Sequence, residues 1–472
     1  MKYELVSGLE THIELSTNSK LFCSCRSAFG AEPNTQCCPV CIGHPGTLPV
    51  VNRQAVYYGI MAGLALNCKV NSYSVMERKN YSYPDLPKAY QITQLQRPLC
   101  EDGYLELSSG KKIRITRIQI EEDAGKLVHS EDRVYVDYNR CGVPLIEIVS
   151  EPDISSFDEA REYVEKLRLL MRYIGVSDCR MQEGSMRFDV NVSVRVEDET
   201  ELGTRTEIKN MNSVSAMTKA MEYEYNRQIK SLSDGKEILR ETLRYDEAKG
   251  VTVSMRSKED AGDYRFFREP DLLTIAVSDT EVEKIRESMP ELPFVKVKKY
   301  TQEYGLSASD SEHLTKYRKI AEFFDETVSN GAAPEVASKF IIGQIFALFT
   351  TETEKEEFSL RITPASLAEL CSLLEKGKIN KNFAKITLDK MLSTGKMVAD
   401  FISYEDMKSL SEEELLALCQ KAVSENTSAV SDYRNGKEKA LMALLGAVMR
   451  ESKGKADPAL TKEILIRLLS EN

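Results

Sequence analysis

The sequence predicts an α+β protein: a mainly antiparallel sheet with helices packed on it, followed by an almost wholly helical region. Three observations carry that expectation. Short segments of period-two alternation, broken by Gly, Pro and Asn turns, fill the first 290 or so residues; only two convincing helices interrupt them; and from about residue 295 onward Leu, Ala, Lys and Glu recur at helical spacing. The strands lie too close together for regular βαβ crossovers, which leaves antiparallel pairing.

The first strand is YELVSGLETHIEL, in which Leu9, Thr11, Ile13 and Leu15 share one face and Glu10, His12 and Glu14 the other. In RFDVNVSV the same alternation turns Phe188, Val190, Val192 and Val194 to a core and Asp189, Asn191 and Ser193 away from it. The helix SSFDEAREYVEKLRLLMRYIG opens with Ser156 and Glu159 at capping-box spacing and stops at Gly175. A second helix runs through about VSAMTKAMEYEYNRQIKSL. The character changes at ESMPELPFVKVKKY, where a domain boundary belongs. A weaker break falls at 395–410, and the chain finishes with two amphipathic helices joined by the loop SKGKADP. There is no internal repeat.

Composition removes several function classes. At 42% hydrophobic and 29% charged residues, with no window of about eighteen apolar residues, the chain reads as soluble and not membrane-spanning. MKYELVSGLE lacks the charged, apolar and small-residue succession of a signal peptide, so the expected location is cytoplasmic. A net charge of -11 argues against wrapping nucleic acid with the whole surface, although a local basic patch stays open. In a reducing cytosol the 11 cysteines read as packing thiols and metal ligands rather than a disulfide framework.

Five of those cysteines sit in LFCSCRSAFGAEPNTQCCPVCIGHPG, residues 21–46. Cys23-x-Cys25, then twelve residues, then Cys38-x-x-Cys41 gives two close thiol pairs, the spacing with which two turns converge on one tetrahedral zinc. Four thiolates would close the coordination sphere, so such a metal would build the fold and not catalyse. Two alternatives stand beside it: thiols that merely pack together, and a catalytic cysteine with His44, for which no orienting acid is in view. Cys37 is left as a free thiol.

A second signal lies in acids on strand faces: Glu10 beside His12, then Glu121, Glu122 and Asp123 in IQIEEDAGK, Glu147 in PLIEIVSEPD, and Asp189. Carboxylates from several strands can converge on a hard divalent cation, and magnesium held by one or two of them together with phosphate oxygens implies a nucleotide substrate. The alternative is solvated faces salt-bridged to Arg114, Arg117, Arg187 and Arg195. Nearby, RKNYSYPDLPKAYQITQ, with Arg78 and Lys79 ahead of tyrosines and prolines, suits a substrate-binding loop better than a packed strand. There is no P-loop and no strand-linked dinucleotide fingerprint.

Together GLETHIEL, the CxC…CxxC loop, RKNYSYPDLPKAYQI, IEEDAGK, NRCGVPLIEIVSEPD, GSMRFDVNVSV, TEIKNMNS and the terminal helix pair resemble the B subunit of the tRNA-dependent amidotransferases, over essentially the whole chain. The resemblance implies a catalytic cradle domain at 1–294, a helical domain at 295–405 and a tRNA-contacting tail at 406–472. It implies ATP-dependent phosphorylation of the side-chain carboxylate of Glu-tRNA(Gln) or Asp-tRNA(Asn), then amidation with ammonia. The ammonia would come from an amidase-type A subunit acting as glutaminase, with a small C subunit completing a heterotrimer. Carried over by motif, Glu10, His12, Glu122 and Glu147 would hold Mg2+, Glu121 and Asp189 would assist, and Lys79, next to Arg78, would face ATP phosphate; Cys23, Cys25, Cys38 and Cys41 would hold structural Zn2+. Four positions depart from the family pattern: Gln182, Phe188, Arg268 and, in the tail, Glu438, whose negative charge would weaken a turn expected near phosphate.

Overall fold

A strand apolar on one face and acidic on the other must have the first face covered, and can bury the second only where its acids find partners. The computed structural model meets that condition. It describes residues 2–197, 199–257, 264–402, 411–452 and 456–470. The chain divides into two units, Met1–Leu292 and Pro293–Asn472.

The first unit begins with β1 (Tyr3–Glu14), α1 (Arg53–Ala65), β2 (Lys69–Val70), β3 (Tyr73–Ser74), β4 (Glu77–Asn80), β5 (Tyr90–Thr93) and β6 (Cys100–Glu106). It continues through β7 (Lys112–Glu122), β8 (Lys126–His129), β9 (Val134–Asp137), β10 (Pro144–Ser150), α2 (Phe157–Tyr173) and β11 (Met186–Val196). β12 (Thr206–Met211), α3 (Val214–Ser233), β13 (Glu241–Asp246), β14 (Val251–Ser257), β15 (Phe267–Arg268), β16 (Ile275–Ala276) and α4 (Asp279–Ser288) complete it. Nine strands form one sheet in the order β14-β13-β12-β11-β1-β10-β7-β6-β2. Every pair is antiparallel except β12 with β13, and the helix α3 between those two strands supplies the crossover a parallel pair needs. The mainly antiparallel α+β expectation is met.

One face of this sheet is the apolar core. Leu9 and Ile13 of β1, Ile118 and Ile120 of β7, Ile146 and Ile148 of β10 and Phe188, Val190 and Val192 of β11 are all at 0% exposure. Gly59 of α1 lies against Ile120, α3 packs along β11, and α2 packs on α3. Ser156 caps α2 by accepting the Glu159 N–H at 3.1 Å. Glu159 does not return to the Ser156 N–H; its carboxylate accepts from the N–H and hydroxyl of Ser155 at 2.8 and 3.0 Å, one residue before the box predicted by spacing. Gly175, at φ +76°, turns the chain out of the helix, a conformation a side chain resists.

The opposite face is covered by a three-stranded sheet, β15-β4-β5. This corrects the reading of RKNYSYPDLPKAYQITQ as a loop. Glu77–Asn80 pairs with Tyr90–Thr93 in register Arg78↔Ile92 and Lys79↔Gln91, and only the residues between are irregular. Polar side chains here do not exclude strand pairing, because alternation sends Arg78 and Lys79 to different buried acids.

The second unit is helical throughout its described secondary structure, from Pro293–Gln302 to Pro458–Ser470. Two apolar cores lie within it. One gathers residues from Tyr300 to Ile402 around Leu314, Phe324, Ile341 and Leu388, and the other gathers Leu415 to Leu469 around Leu444, Val448 and Leu465. The boundary expected at 405/406 and the lysines of SKGKADP at 453 and 455 lie outside the described residues. Among the described residues no helix is long and apolar enough to cross a membrane.

The close packing of α1 on the sheet is testable. A Cβ at Gly63 would stand 2.4 Å from Cys100 Sγ and 3.0 Å from its Cβ. Gly63→Ala gains about 1 kcal/mol of helix propensity but overpacks the core at a cost of about 1–3 kcal/mol. A net fall in the denaturant midpoint is expected, with recovery in Gly63→Ala/Cys100→Ala; an unchanged midpoint in the single variant would show that the contact yields.

Candidate active site and metal clamp

Register brings the acids together. β1 pairs with β10 so that His12 faces Glu147, and with β11 so that Glu10 faces Asp189. β10 pairs with β7 so that Leu145 faces Glu121, two residues along from Glu147 and therefore on the same face. Two groups of ligand-type atoms result, each with its atoms within 4.8 Å of one another: His12, Glu121 and Glu147, and beside it Glu10, Asp189 and Glu207.

These acids are not a solvated face. Glu121, Glu147 and Asp189 are 3%, 7% and 5% exposed. Of the four arginines of the alternative reading only Arg187 pairs with an acid of the signal, Asp123; Arg114 binds Asp153, Arg117 binds Gln119 and Arg195 binds Glu4. Lysines stand there instead. Lys79 Nζ lies 4.0 Å from Glu121 Oε2, and Lys209 Nζ lies 2.8 Å from Asp189 and 3.3 Å from Glu207. Burial pulls the Lys79 ammonium toward neutrality, but Glu121 and Glu147 outweigh it and raise its pKa. Burial raises the Glu147 carboxyl, with Lys79 opposing.

The first group has open valences. His12 Nδ1 and Glu121 Oε2 are buried and accept no hydrogen bond. Burial, then Arg187, lowers the His12 pKa and keeps the imidazole neutral, so a nitrogen lone pair is available. An imidazole and a Glu121 carboxylate with an unfilled acceptor atom, beside a Glu147 carboxylate whose Oε2 accepts from Gln119 at 2.6 Å, suit a divalent cation. The second group already has a cation, Lys209, paired with Asp189 and Glu207, and Asn191 Nδ2 donates to Glu10 at 3.0 Å. Glu207 is the one member not singled out from the sequence, although it lies within TEIKNMNS; it stands opposite Asn191, two residues along from Asp189, which only strand pairing reveals.

Glu122 goes elsewhere. As the residue after Glu121 it leaves the strand on the other side, takes the Lys88 ammonium and accepts the Ile92 N–H at 2.9 Å. The structure thus brings Glu10, His12, Glu121, Glu147, Asp189 and Lys79 together and does not bring Glu122 among them. Asp123 is held by Arg187 at 2.8 and 2.9 Å and by Arg140 at 3.7 Å, which lowers its pKa against the burial that would raise it. Arg78, expected at cofactor, is committed to Glu269 at 2.6 and 2.8 Å and lies 4.3 Å from the Tyr90 ring centroid. Asn80 donates to Arg265 O at 2.8 Å, and Tyr264 sits over Lys79 at 5.4 Å. Arg78 therefore anchors a strap beside Lys79.

The cysteines form a separate cluster. Cys23, Cys25, Cys38 and Cys41 place their sulfurs within 4.8 Å of one another, and all four are free thiols. Cys38 N–H donates to Cys41 Sγ at 3.2 Å. The hydrogen bond from Cys23 holds the Cys41 thiol down to about 4, against burial, with Cys38 N–H and Lys20 assisting. Such a set of convergent thiols suits zinc. Cys37 lies outside the set, with its Sγ 3.7 Å from Asn139 Oδ1. Gly43, at φ +70°, follows the second pair; a Cβ there would be 2.5 Å from Lys88 Cγ, so the turn abuts the lysine that holds Glu122. His44, Lys20, Lys88 and Glu122 line one cavity of about 210 Å³ next to the clamp.

The GatB/GatE catalytic domain family matches residues 5–283, and the GatB domain family matches residues 322–469. The chain belongs to the GatB family. The B subunit of the aspartyl/glutamyl-tRNA(Asn/Gln) amidotransferase from Thermoanaerobacter pseudethanolicus is 51% identical to it over 476 residues, covering 100% of both chains. The corresponding protein from Thermodesulfovibrio yellowstonii is 48% identical over 477 residues, again covering 100% of both, and that from Carboxydothermus hydrogenoformans 46% over 473 residues, covering 98% of both. The GatB family resemblance read from the motifs is therefore established. Of the four departures, Phe188 is a fully buried core residue, and Arg268 Nη2 donates to Thr274 at 3.0 Å; neither touches the site.

Lys88 and Glu122 make a buried pair with side chains 9% and 3% exposed. Lys88→Met leaves the carboxylate buried without its counter-charge and should cost about 3–5 kcal/mol. Lys88→Met/Glu122→Gln should regain most of it; equal loss in both, read by chemical denaturation, would show that packing and not charge holds this corner.

Proposed function

We propose that the chain is the activating subunit of a tRNA-dependent amidotransferase, forming Gln-tRNA(Gln) and Asn-tRNA(Asn). The observation that supports it most is the convergence of His12, Glu121 and Glu147 from three adjacent strands beside the Lys79 ammonium, in a member of this family. A carboxylate is a poor electrophile because it would have to expel oxide. Phosphorylation by ATP turns that oxygen into a leaving group, and ammonia then displaces phosphate to give the amide. Such transfer rests on positioning and charge neutralisation more than on covalent help from the protein.

His12, Glu121 and Glu147 would hold Mg2+, with Glu10 and Asp189 flanking. When bound, that ion neutralises charge on the ATP phosphates. Lys79, fully charged between two acids, would meet the transferred phosphoryl group; Tyr264 and the Arg78–Glu269 pair keep it oriented. Asp189 and Glu207 hold Lys209, a second cation on the same face. Glu122 supports the floor of the site from behind. Zn2+ in the four-cysteine clamp would brace the loop that follows β1.

Ammonia is supplied by an amidase-type glutaminase partner, with a further small partner completing a cytoplasmic heterotrimer. Residues 1–294 are the catalytic cradle, 295–405 a helical domain, and 406–472 a tail that contacts the misacylated tRNA.

Co-expressed with both partners and given ATP, magnesium, ammonia and Glu-tRNA(Gln) or Asp-tRNA(Asn), wild type should produce amidated aminoacyl-tRNA. Acylated tRNA left unamidated would sink the reading. His12→Ala and Glu121→Gln should each slow ATP-dependent activation at least about 100-fold while the heterotrimer still assembles. Glu122→Gln should keep the activation step and lose stability first.

Metal analysis gives an independent check. Wild type should contain one zinc per chain, and Cys38→Ser/Cys41→Ser should contain none and melt earlier. Stoichiometric zinc in the double variant would remove those thiols from the ligand set.

A further inference from the structure

Beside the cysteine clamp stands a buried positive charge that belongs to neither group of acids on the β1 face. Lys20 is 0% exposed, and its Nζ lies 3.6 Å from Cys41 Sγ and 3.3 Å from the Tyr138 carbonyl. Its backbone N–H donates to Cys25 O at 3.0 Å. One residue thus touches both halves of the clamp. Among the described residues no carboxylate pairs with this ammonium; its anionic neighbour is sulfur. A buried ammonium with one sulfur and one carbonyl as partners is incompletely compensated. Four thiolates around a divalent ion carry two surplus negative charges, and there the same ammonium is well placed.

We propose that Lys20 is the built-in counter-cation of the clamp and sets how tightly it holds its metal. The proposal rests on the zinc reading of the four cysteines. Its physical content is a difference between the metal-bound and metal-free forms. With metal bound, Lys20 offsets thiolate charge in a dry site and favours retention, as groups around metal ligands commonly do. With metal removed, Lys20 keeps only its contacts to Cys41 Sγ and the Tyr138 carbonyl and has less to contribute. A residue that merely fills space would contribute equally in both states.

The test uses the full-length chain as wild type, Lys20→Met and Lys20→Arg, with zinc affinity read by competition with a graded series of chelators. Thermal melts follow on the zinc-loaded and chelator-stripped forms under reducing conditions. Lys20→Met should bind zinc about 10- to 100-fold more weakly, Lys20→Arg should stay close to wild type, and Lys20→Met should lower the melt of the zinc-loaded form more than that of the stripped form. If Lys20→Met does not fold, Lys20→Gln should show the same split. Wild-type affinity in the neutral variant, or an equal drop in the melts of both forms, would overturn the role of Lys20 while leaving zinc in place. Wild type that binds no zinc would overturn the metal reading itself, and this proposal with it.

Discussion

The candidate site depends on the antiparallel register of β1 between β10 and β11. That register sets His12 opposite Glu147 and Glu10 opposite Asp189, and through β10 it brings Glu121 of β7 onto the same face. A slip of one residue would exchange the faces, sending His12 and Glu10 into the core and Leu9 and Ile13 to the acids. The apolar face guards against that slip, because Leu9, Ile13, Ile146 and Phe188 are all fully buried and could not be replaced there by carboxylates. Packing on one side of the sheet thereby holds the chemistry on the other.

Holding several acids in a buried place requires cations of matching number and reach. Lys79 and Lys209 stand on the acidic face, while Lys88 serves Glu122 on the far side of β7. Arginine pairs lie around this centre, Arg187 with Asp123 and Arg78 with Glu269. The planar, bidentate guanidinium fixes geometry in these flanking pairs, and the flexible ammonium of lysine meets the central acids as a compact point charge. Each of these cations sits beside a buried acid, while His12 Nδ1 and Glu121 Oε2 keep acceptor atoms without a hydrogen-bond partner.

The cysteine clamp and the acidic face meet through the end of β7. Gly43 in the second cysteine turn abuts Lys88, Lys88 holds Glu122, and Gln91 donates to both Glu122 O at 2.8 Å and Glu121 Oε1 at 3.4 Å. A loop with no catalytic group can thus position one. The long link between the cysteine pairs costs chain entropy to hold closed, and a metal offsets that cost where a small core could not.

The sequence by itself determined the α+β class, the two helices with their stops, the zinc-type thiol spacing and the family, because periodicity, capping residues and motif spacing are local properties of the chain. It also placed Glu10, His12, Glu147 and Asp189 on polar strand faces. Only the tertiary structure decided which acids meet. In IEED every second residue alternates sides, yet nothing local says which side is the site, so Glu121 and Glu122 could be told apart only once β7 lay against β10. Glu207, Lys209, Lys88 and Lys20 were invisible for the same reason: their partners lie on distant strands and loops, and a charge acquires its role from what stands opposite it in space.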